Sequence, residues 1–175
     1  LLTGMTEPES WAVLTKQGQK RSFQLYVRPF DPEQEIWTGR RAGLKGARKT
    51  FGADVSHDVA EFFNHLPEML QNQPRLYYSF GIDDRNDARI LAVTNSLKQE
   101  ARRGILGPWE IHDTRRITWR MRLTKDRLDI LDQKKVACIT AQAFKAAMRA
   151  VRPGLREYEL ASVVEFEFAR RGGKR

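Results

Sequence analysis

The sequence predicts an α/β layer, a sheet flanked by helices, for residues 1–113. Two observations carry that prediction. Short segments rich in β-branched and aromatic residues alternate with longer segments of helical apolar spacing, which is the order of a layered α/β unit. One of the strand segments is also apolar at positions that break strict alternation, as a strand covered on both faces must be.

Residues 11–15 (Trp-Ala-Val-Leu-Thr) and 21–28 (Arg-Ser-Phe-Gln-Leu-Tyr-Val-Arg) are separated by a polar stretch centred on Gly18, a strand, turn and strand. Phe23, Tyr26 and Val27 depart from alternation, so helices are expected on both sides of the second strand. From Val59 to Leu70 the residues Phe62, Phe63, Leu66 and Leu70 recur at helical spacing, and Pro74 ends the pattern before a strand over 75–80. A turn over 81–84 leads to a helix over 85–103 carrying Ile90, Leu91, Val93 and Leu97. Gly107-Pro108 marks a connection, and residues 113–123 read as an extended basic stretch. Thr124 is placed to cap a helix over 125–150 with Leu128, Leu131, Val136, Ile139, Ala143 and Ala147 on one side. Pro153-Gly154 ends it, and a second helix over 157–171 stops at Gly172-Gly173. Two helices in so short a segment bury too little apolar surface to offset chain entropy, so they need something to pack on.

With 41% apolar and 30% charged residues among 175, the chain has the balance of a soluble globular protein. No run of ten apolar residues occurs, so neither a membrane span nor a signal-peptide core is read, and a cytoplasmic location is expected. Leu1-Leu2 opens the chain without a methionine, and a fragment of a longer protein is expected. The single cysteine, Cys138, allows no intrachain disulfide. Residues 1–113 hold 15 Lys/Arg and 15 Asp/Glu, whereas 114–175 hold 16 against 7, so the surplus of +9 lies wholly in the second part. Such a segment attracts nucleic acid, an anionic membrane or an acidic protein surface.

The Gly-rich and basic run over 39–49 lacks the order of a phosphate-binding loop, because Lys45 precedes Gly46 and Ala47 follows; it reads as a mobile, solvated loop. Asp83, Asp84 and Asp87 stand at a helix start, where capping explains them better than a cation does. Cys138 lies between Ala137 and Ile139 and is expected to be buried. His57, His65 and His112 fall in no metallopeptidase or zinc-finger spacing and read as structural. Trp37 differs, standing in a predicted loop between Glu35 and the pair Arg40-Arg41 where no amphipathic pattern demands an indole. An exposed indole is a platform for peptide or proline, and the arginines can take a carboxylate through paired hydrogen bonds. A loop aromatic folded back onto its own domain is the equal alternative.

Four blocks, Leu2-Thr-Gly-Met-Thr-Glu-Pro-Glu-Ser-Trp11, Glu35-Ile-Trp-Thr-Gly-Arg-Arg-Ala-Gly43, the stretch from Asp113 and Arg115 to Met121-Arg-Leu and Lys125, and Arg152-Pro-Gly-Leu155 with Glu157-Tyr-Glu-Leu160, occur in one order. Together they resemble aminopeptidase P, the Xaa-Pro aminopeptidase of the creatinase and prolidase superfamily. Trp119-Arg120 departs from the His-Glu usual before Met-Arg in that family. The resemblance implies an amino-terminal α/β domain with a mixed sheet over 1–113, lacking its opening strand and helix. Residues 114–175 would be a linker and the first two helices of an incomplete pita-bread metallopeptidase domain. The family removes the first residue of peptides with proline second, using two divalent ions, usually manganese, held by two Asp, one His and two Glu. Those ligands would lie beyond residue 175, so no metal is expected on this chain and it is expected to be inactive alone. The resemblance also implies a homo-oligomer, dimer or tetramer, in which Trp37 reaches a neighbouring subunit's active-site mouth. Proline-containing peptides are the implied partners, and the basic surplus becomes one face of a larger domain rather than a nucleic-acid site. Two alternatives stand beside this reading: a non-catalytic peptide- or protein-interaction module of the same fold, and a basic nucleic-acid binder, which lacks aromatics interleaved with its cations.

Overall fold

The structure, a computed structural model, describes residues 2–173; Leu1, Lys174, Arg175 and the side chains of Gln34 and Thr38 lie outside the described residues. It divides into two compact units, Leu1–Thr114 and Arg115–Arg175.

In the first unit β1 (Trp11–Gln17) and β2 (Lys20–Val27) form an antiparallel hairpin in which Trp11 pairs with Tyr26 and Gln17 with Lys20. The helices α1 (Pro32–Thr38) and α2 (Gly43–Lys49) follow, then β3 (Val55–Asp58), which runs parallel to β2 with Tyr26 opposite His57. A 3-10 turn over Val59–Glu61 leads into α3 (Phe62–Leu70). After β4 (Arg75–Tyr77) comes α4 (Asp84–Gln99), and β5 (Glu110–His112) returns parallel to β4. The mixed sheet is therefore three-stranded, with β4 and β5 forming a second, parallel pair.

Both faces of β2 are covered, and the side-chain alternation of a strand explains how. Tyr26 points into a cluster with Phe62, Leu66, Leu70, Ile90 and Leu97 from α3 and α4. Leu25 and Val27 point the other way, against Ala47 of α2 and Ala53. Trp11 joins the first cluster by stacking on Phe62 at 4.2 Å and 7°. Burial of each large side chain contributes about 1.5–3 kcal/mol, so Tyr26, Phe62 and their neighbours dominate the cohesion of the unit. Ser79 closes its far end by donating to Asp113 at 2.8 Å and meeting the Thr114 hydroxyl.

The second unit holds α5 (Arg115–Leu123), α6 (Arg127–Ala150) and α7 (Glu157–Arg170). Helices α6 and α7 pack together; Ala143 and Ala147 of α6 are buried, and Glu167, 7% exposed, lies beneath Arg170 and Arg171. Leu128, Leu131, Phe144, Met148 and Phe166 remain exposed. No helix among the described residues is long and apolar enough to cross a membrane.

Several expectations need correction. The segments read as loops around Trp37 and over 39–49 contain α1 and α2, and Ala47 is fully buried. The stretch over 113–123 is largely helix, because its alternating Ile117, Trp119, Met121 and Leu123 imitate a strand while none of them is buried. Helix α6 is capped by Asp126, not Thr124: Asp126 accepts from the Asp129 amide at 2.8 Å, and the Asp129 carboxylate accepts from the Asp126 amide at 3.1 Å. Cys138 is exposed rather than buried.

Candidate functional site

Helix α1 exists for reasons at its ends. Asp31 precedes Pro32, and its carboxylate accepts from the Glu33 amide at 3.0 Å, while proline supplies a φ already suited to the first helical turn. Glu33 and Glu35 stand where the helix dipole favours negative charge. Gly39, at φ +80°, ends the helix by donating to the Glu35 carbonyl at 3.0 Å. The chain then turns sharply, with the Arg41 amide donating to the Glu35 carboxylate at 2.9 Å and the Ala42 amide to that of Glu7 at 2.7 Å.

This frame presents an apolar pair. Trp37 is 88% exposed and Ile36 80%, and Arg40 is exposed just beyond them. Of the two readings open for Trp37, the indole folded onto its own domain is therefore excluded within this unit. Trp37, Arg40 and Arg41 lie within one helix end and its turn, so an apolar platform and two cations sit on consecutive backbone. The chemistry suits a peptide with an apolar ring and a carboxylate.

The structure assembles a second group that residue spacing did not reveal. His57 is the penultimate residue of β3, Glu61 closes the 3-10 turn, and His65 lies in α3; one ligand-type atom from each lies within 4.8 Å of the others. Asp58 makes the turn possible by accepting from the Ala60 amide at 2.9 Å. The ring of His57 stacks on Tyr26 at 4.8 Å, and the Tyr26 hydroxyl lies 3.2 Å from Nδ1 of His65. Burial, followed by the charges of Glu61 and Glu68, raises the Tyr26 phenol above its ordinary value. The signal in the sequence was a four-residue spacing, His57, Glu61, His65, which means nothing until a strand end, a turn and a helix are known to meet there.

The remaining candidates are structural. Asp83 caps α4 by accepting from the Asn86 amide at 2.9 Å, and Asp87 accepts from the Tyr78 hydroxyl and the Gly81 amide, each at 2.7 Å. His112 and Arg75 both bind Glu110, at 3.0 and 2.7 Å, and the hydrogen bond from His112, then that from Arg75, holds the Glu110 carboxyl below its usual range. A groove of about 520 Å³ runs between β1 and β4 over Leu66, Leu70 and Ile90, without a cluster of titratable groups in its floor.

A dinuclear site of two Asp, one His and two Glu is not assembled among the described residues, where His57, Glu61 and His65 are the sole group of three or more possible metal ligands. The residues present thus do not fit the two-ion centre that the family resemblance implies.

Comparison with known proteins gives a consistent result. Residues 1–78 match the family model for the aminopeptidase P amino-terminal domain. Xaa-Pro aminopeptidase of Escherichia coli is 31% identical over 173 residues, covering 98% of this chain and 39% of that protein. Human Xaa-Pro aminopeptidase 3 is 27% identical, covering 98% of this chain and 34% of that protein. Among solved structures, a variant of Escherichia coli aminopeptidase P in complex with substrate superposes with a TM-score of 0.91 at 31% identity, over 97% of this chain and 39% of that one. Aminopeptidase PepP of Pseudomonas aeruginosa gives 0.90 at 33% identity, over 97% of this chain and 38% of that one. Another solved form is the zinc-substituted Escherichia coli enzyme in complex with product. The chain spans about two fifths of the length of these relatives.

Proposed function

The chain belongs to the aminopeptidase P family through its amino-terminal domain, and from that premise we propose that it is the amino-terminal part of a metal-dependent Xaa-Pro aminopeptidase. Such an enzyme releases the first residue of peptides with proline second. The observation that carries the reading is the match of fold over 97% of the chain to an enzyme solved with its substrate.

Residues 1–113 serve in this reading as the domain that associates subunits into a dimer or tetramer and gates the active site. Residues 114–175 are a linker and the opening helices of a pita-bread catalytic domain. Two divalent ions, manganese by resemblance, belong to the remainder of that domain and supply the activated water; no step of hydrolysis is assigned to residues of this chain. The exposed Leu128, Leu131, Phe144, Met148 and Phe166 support the assignment, since so much apolar surface on a short helical unit implies further protein against it. The basic surplus belongs in this reading to a domain whose remainder is acidic and balances it, so no nucleic acid is invoked. Cytoplasmic location belongs to the same proposal.

Trp37 is the residue of this chain that approaches substrate, from one subunit to the active-site mouth of another, with Arg40 and Arg41 positioned for a carboxylate. Its 88% exposure within its own unit is what a residue acting in trans requires. The test is cleavage of Xaa-Pro and Xaa-Ala peptides by the full-length protein with manganese, beside a polypeptide of these 175 residues alone. Release of the first residue from Xaa-Pro peptides by the former only is expected. Cleavage by the short polypeptide, or none by the full-length protein, overturns the assignment.

A further inference from the structure

We propose that His57, Glu61 and His65 bind a zinc ion at the junction of β3 and α3. Two imidazoles and one carboxylate are a ligand set that suits Zn2+ and disfavours the oxygen-seeking Mg2+ and Ca2+. Their ligand-type atoms already lie within 4.8 Å of one another. In a tetrahedral site with bonds of about 2.0–2.1 Å, ligand atoms stand roughly 3.4 Å apart, so closure asks for side-chain movements on the order of 1 Å. The exposed Glu61 carboxylate can make that movement at little cost, whereas both histidines are half-buried and held.

What holds them is suited to a metal ligand. The rings of His57 and His65 stand 5.1 Å apart at 74°, close without stacking face to face. Tyr26 packs against His57 and places its hydroxyl 3.2 Å from Nδ1 of His65 and 3.6 Å from the Met69 sulfur. The phenol has one proton. When it goes to Met69, the phenolic oxygen accepts from Nδ1–H of His65, which fixes the tautomer that leaves Nε2 with its lone pair for the ion. Tyr26 therefore has the place of an outer partner that orients a zinc-bound imidazole.

The ion would join three consecutive elements, the end of β3, the turn and α3, and so clip the sheet to the helix that carries Phe62, Leu66 and Leu70 of the core. With three protein ligands and an exposed carboxylate, a fourth position is left to water. This site stands independently of the peptidase reading, since none of its residues is assigned to substrate or to the two-ion centre.

The full-length protein, stripped of metal by chelation, tests it by zinc titration beside His57→Gln and Glu61→Gln. The wild type is expected to bind one zinc ion per chain more than His57→Gln, and excess zinc to raise its unfolding midpoint more than that of the variant. Loss of a ligand should weaken this site by at least the tenfold to hundredfold that loss of an outer-shell partner costs. With Co2+ as the probe, the absorption of a tetrahedral ion bound to imidazole should weaken in both variants, and excess Mg2+ should not compete. Identical zinc stoichiometry and isotherms in the wild type and both variants overturn the proposal. Glu61→Gln, at an exposed position, keeps the comparison decisive should His57→Gln fold poorly.

Discussion

The hydroxyl of Tyr26, a residue 1% exposed in the centre of the sheet, lies 3.2 Å from Nδ1 of His65 in the helix that covers it. Removal of that oxygen in Tyr26→Phe leaves the imidazole with a partner missing and should cost about 1–2 kcal/mol. The pH dependence follows from the sign of the shift. Burial first, then Glu61 and Glu68, raises the phenol's pKa, so the folded protein holds the proton more tightly than the unfolded chain. The contribution is complete below the ordinary tyrosine value of 10.0 and is lost as pH climbs toward the higher folded value. Tyr78, raised by burial and by its hydrogen bond to Asp87, acts with the same sign. Urea unfolding from neutral pH into the alkaline range should show a plateau and then a fall, shallower in Tyr26→Phe; equal slopes would contradict it.

Gly43 offers a second test. It is buried at φ +58°, and a Cβ there would lie 3.3 Å from both the backbone nitrogen and the Cβ of Phe30. Gly43→Ala therefore combines a left-handed backbone with a contact that Phe30 cannot relieve by turning its ring, because the crowded atoms are next to the main chain. A loss of about 1–3 kcal/mol in thermal unfolding is expected, larger than that of Gly18→Ala, whose Cβ would meet nothing within 4 Å.

These two positions show what residue patterns could and could not disclose. The hairpin, α3, α4 and α7 were legible because their apolar residues recur at the period of the face they bury; α6 was legible from the same spacing although Leu128, Leu131 and Val136 of its stripe are exposed. Helix α1 has no such period, since Ile36 and Trp37 face solvent, yet its end signals, Asp31-Pro32 and Gly39, were present and outweigh periodicity in a seven-residue helix. Helix α5 was hidden by alternation among exposed residues, where pattern does not report burial. His57, Glu61 and His65 belong to a strand, a turn and a helix, and side chains on three kinds of backbone meet only through tertiary geometry.

Glu167 supports an acid-side prediction. Its side chain is 10% exposed and accepts from Nε of Arg170 at 2.9 Å and of Arg171 at 3.0 Å. Burial works to raise its pKa, but the hydrogen bonds from Arg170 and Arg171 prevail and lower it. The folded form thus prefers the ionised carboxylate, which stabilises above the unfolded pKa and ceases to do so as pH falls through the folded one. Glu167→Gln should lower the unfolding midpoint at neutral pH and converge with the wild type in acid. A difference that persists unchanged into acid would show that packing, not charge, is what the substitution removes.

Trp37 separates stability from function. At 88% exposure on a helix whose ends are held by Asp31 and Gly39, its indole buries almost nothing within its own unit. Trp37→Ala should accordingly change unfolding free energy by no more than about 0.5 kcal/mol. If the indole instead closes a neighbouring subunit's pocket, its removal deletes an aromatic anchor of the kind that dominates recognition surfaces. The value of kcat/KM on Xaa-Pro peptides should then fall on the order of tenfold to a hundredfold in the full-length protein. Trp37→Phe, which keeps a flat apolar ring, should recover part of the loss, and Arg40→Ala should raise KM more than it lowers kcat. A Trp37→Ala enzyme with wild-type kinetics would show that the exposed indole serves something other than the substrate.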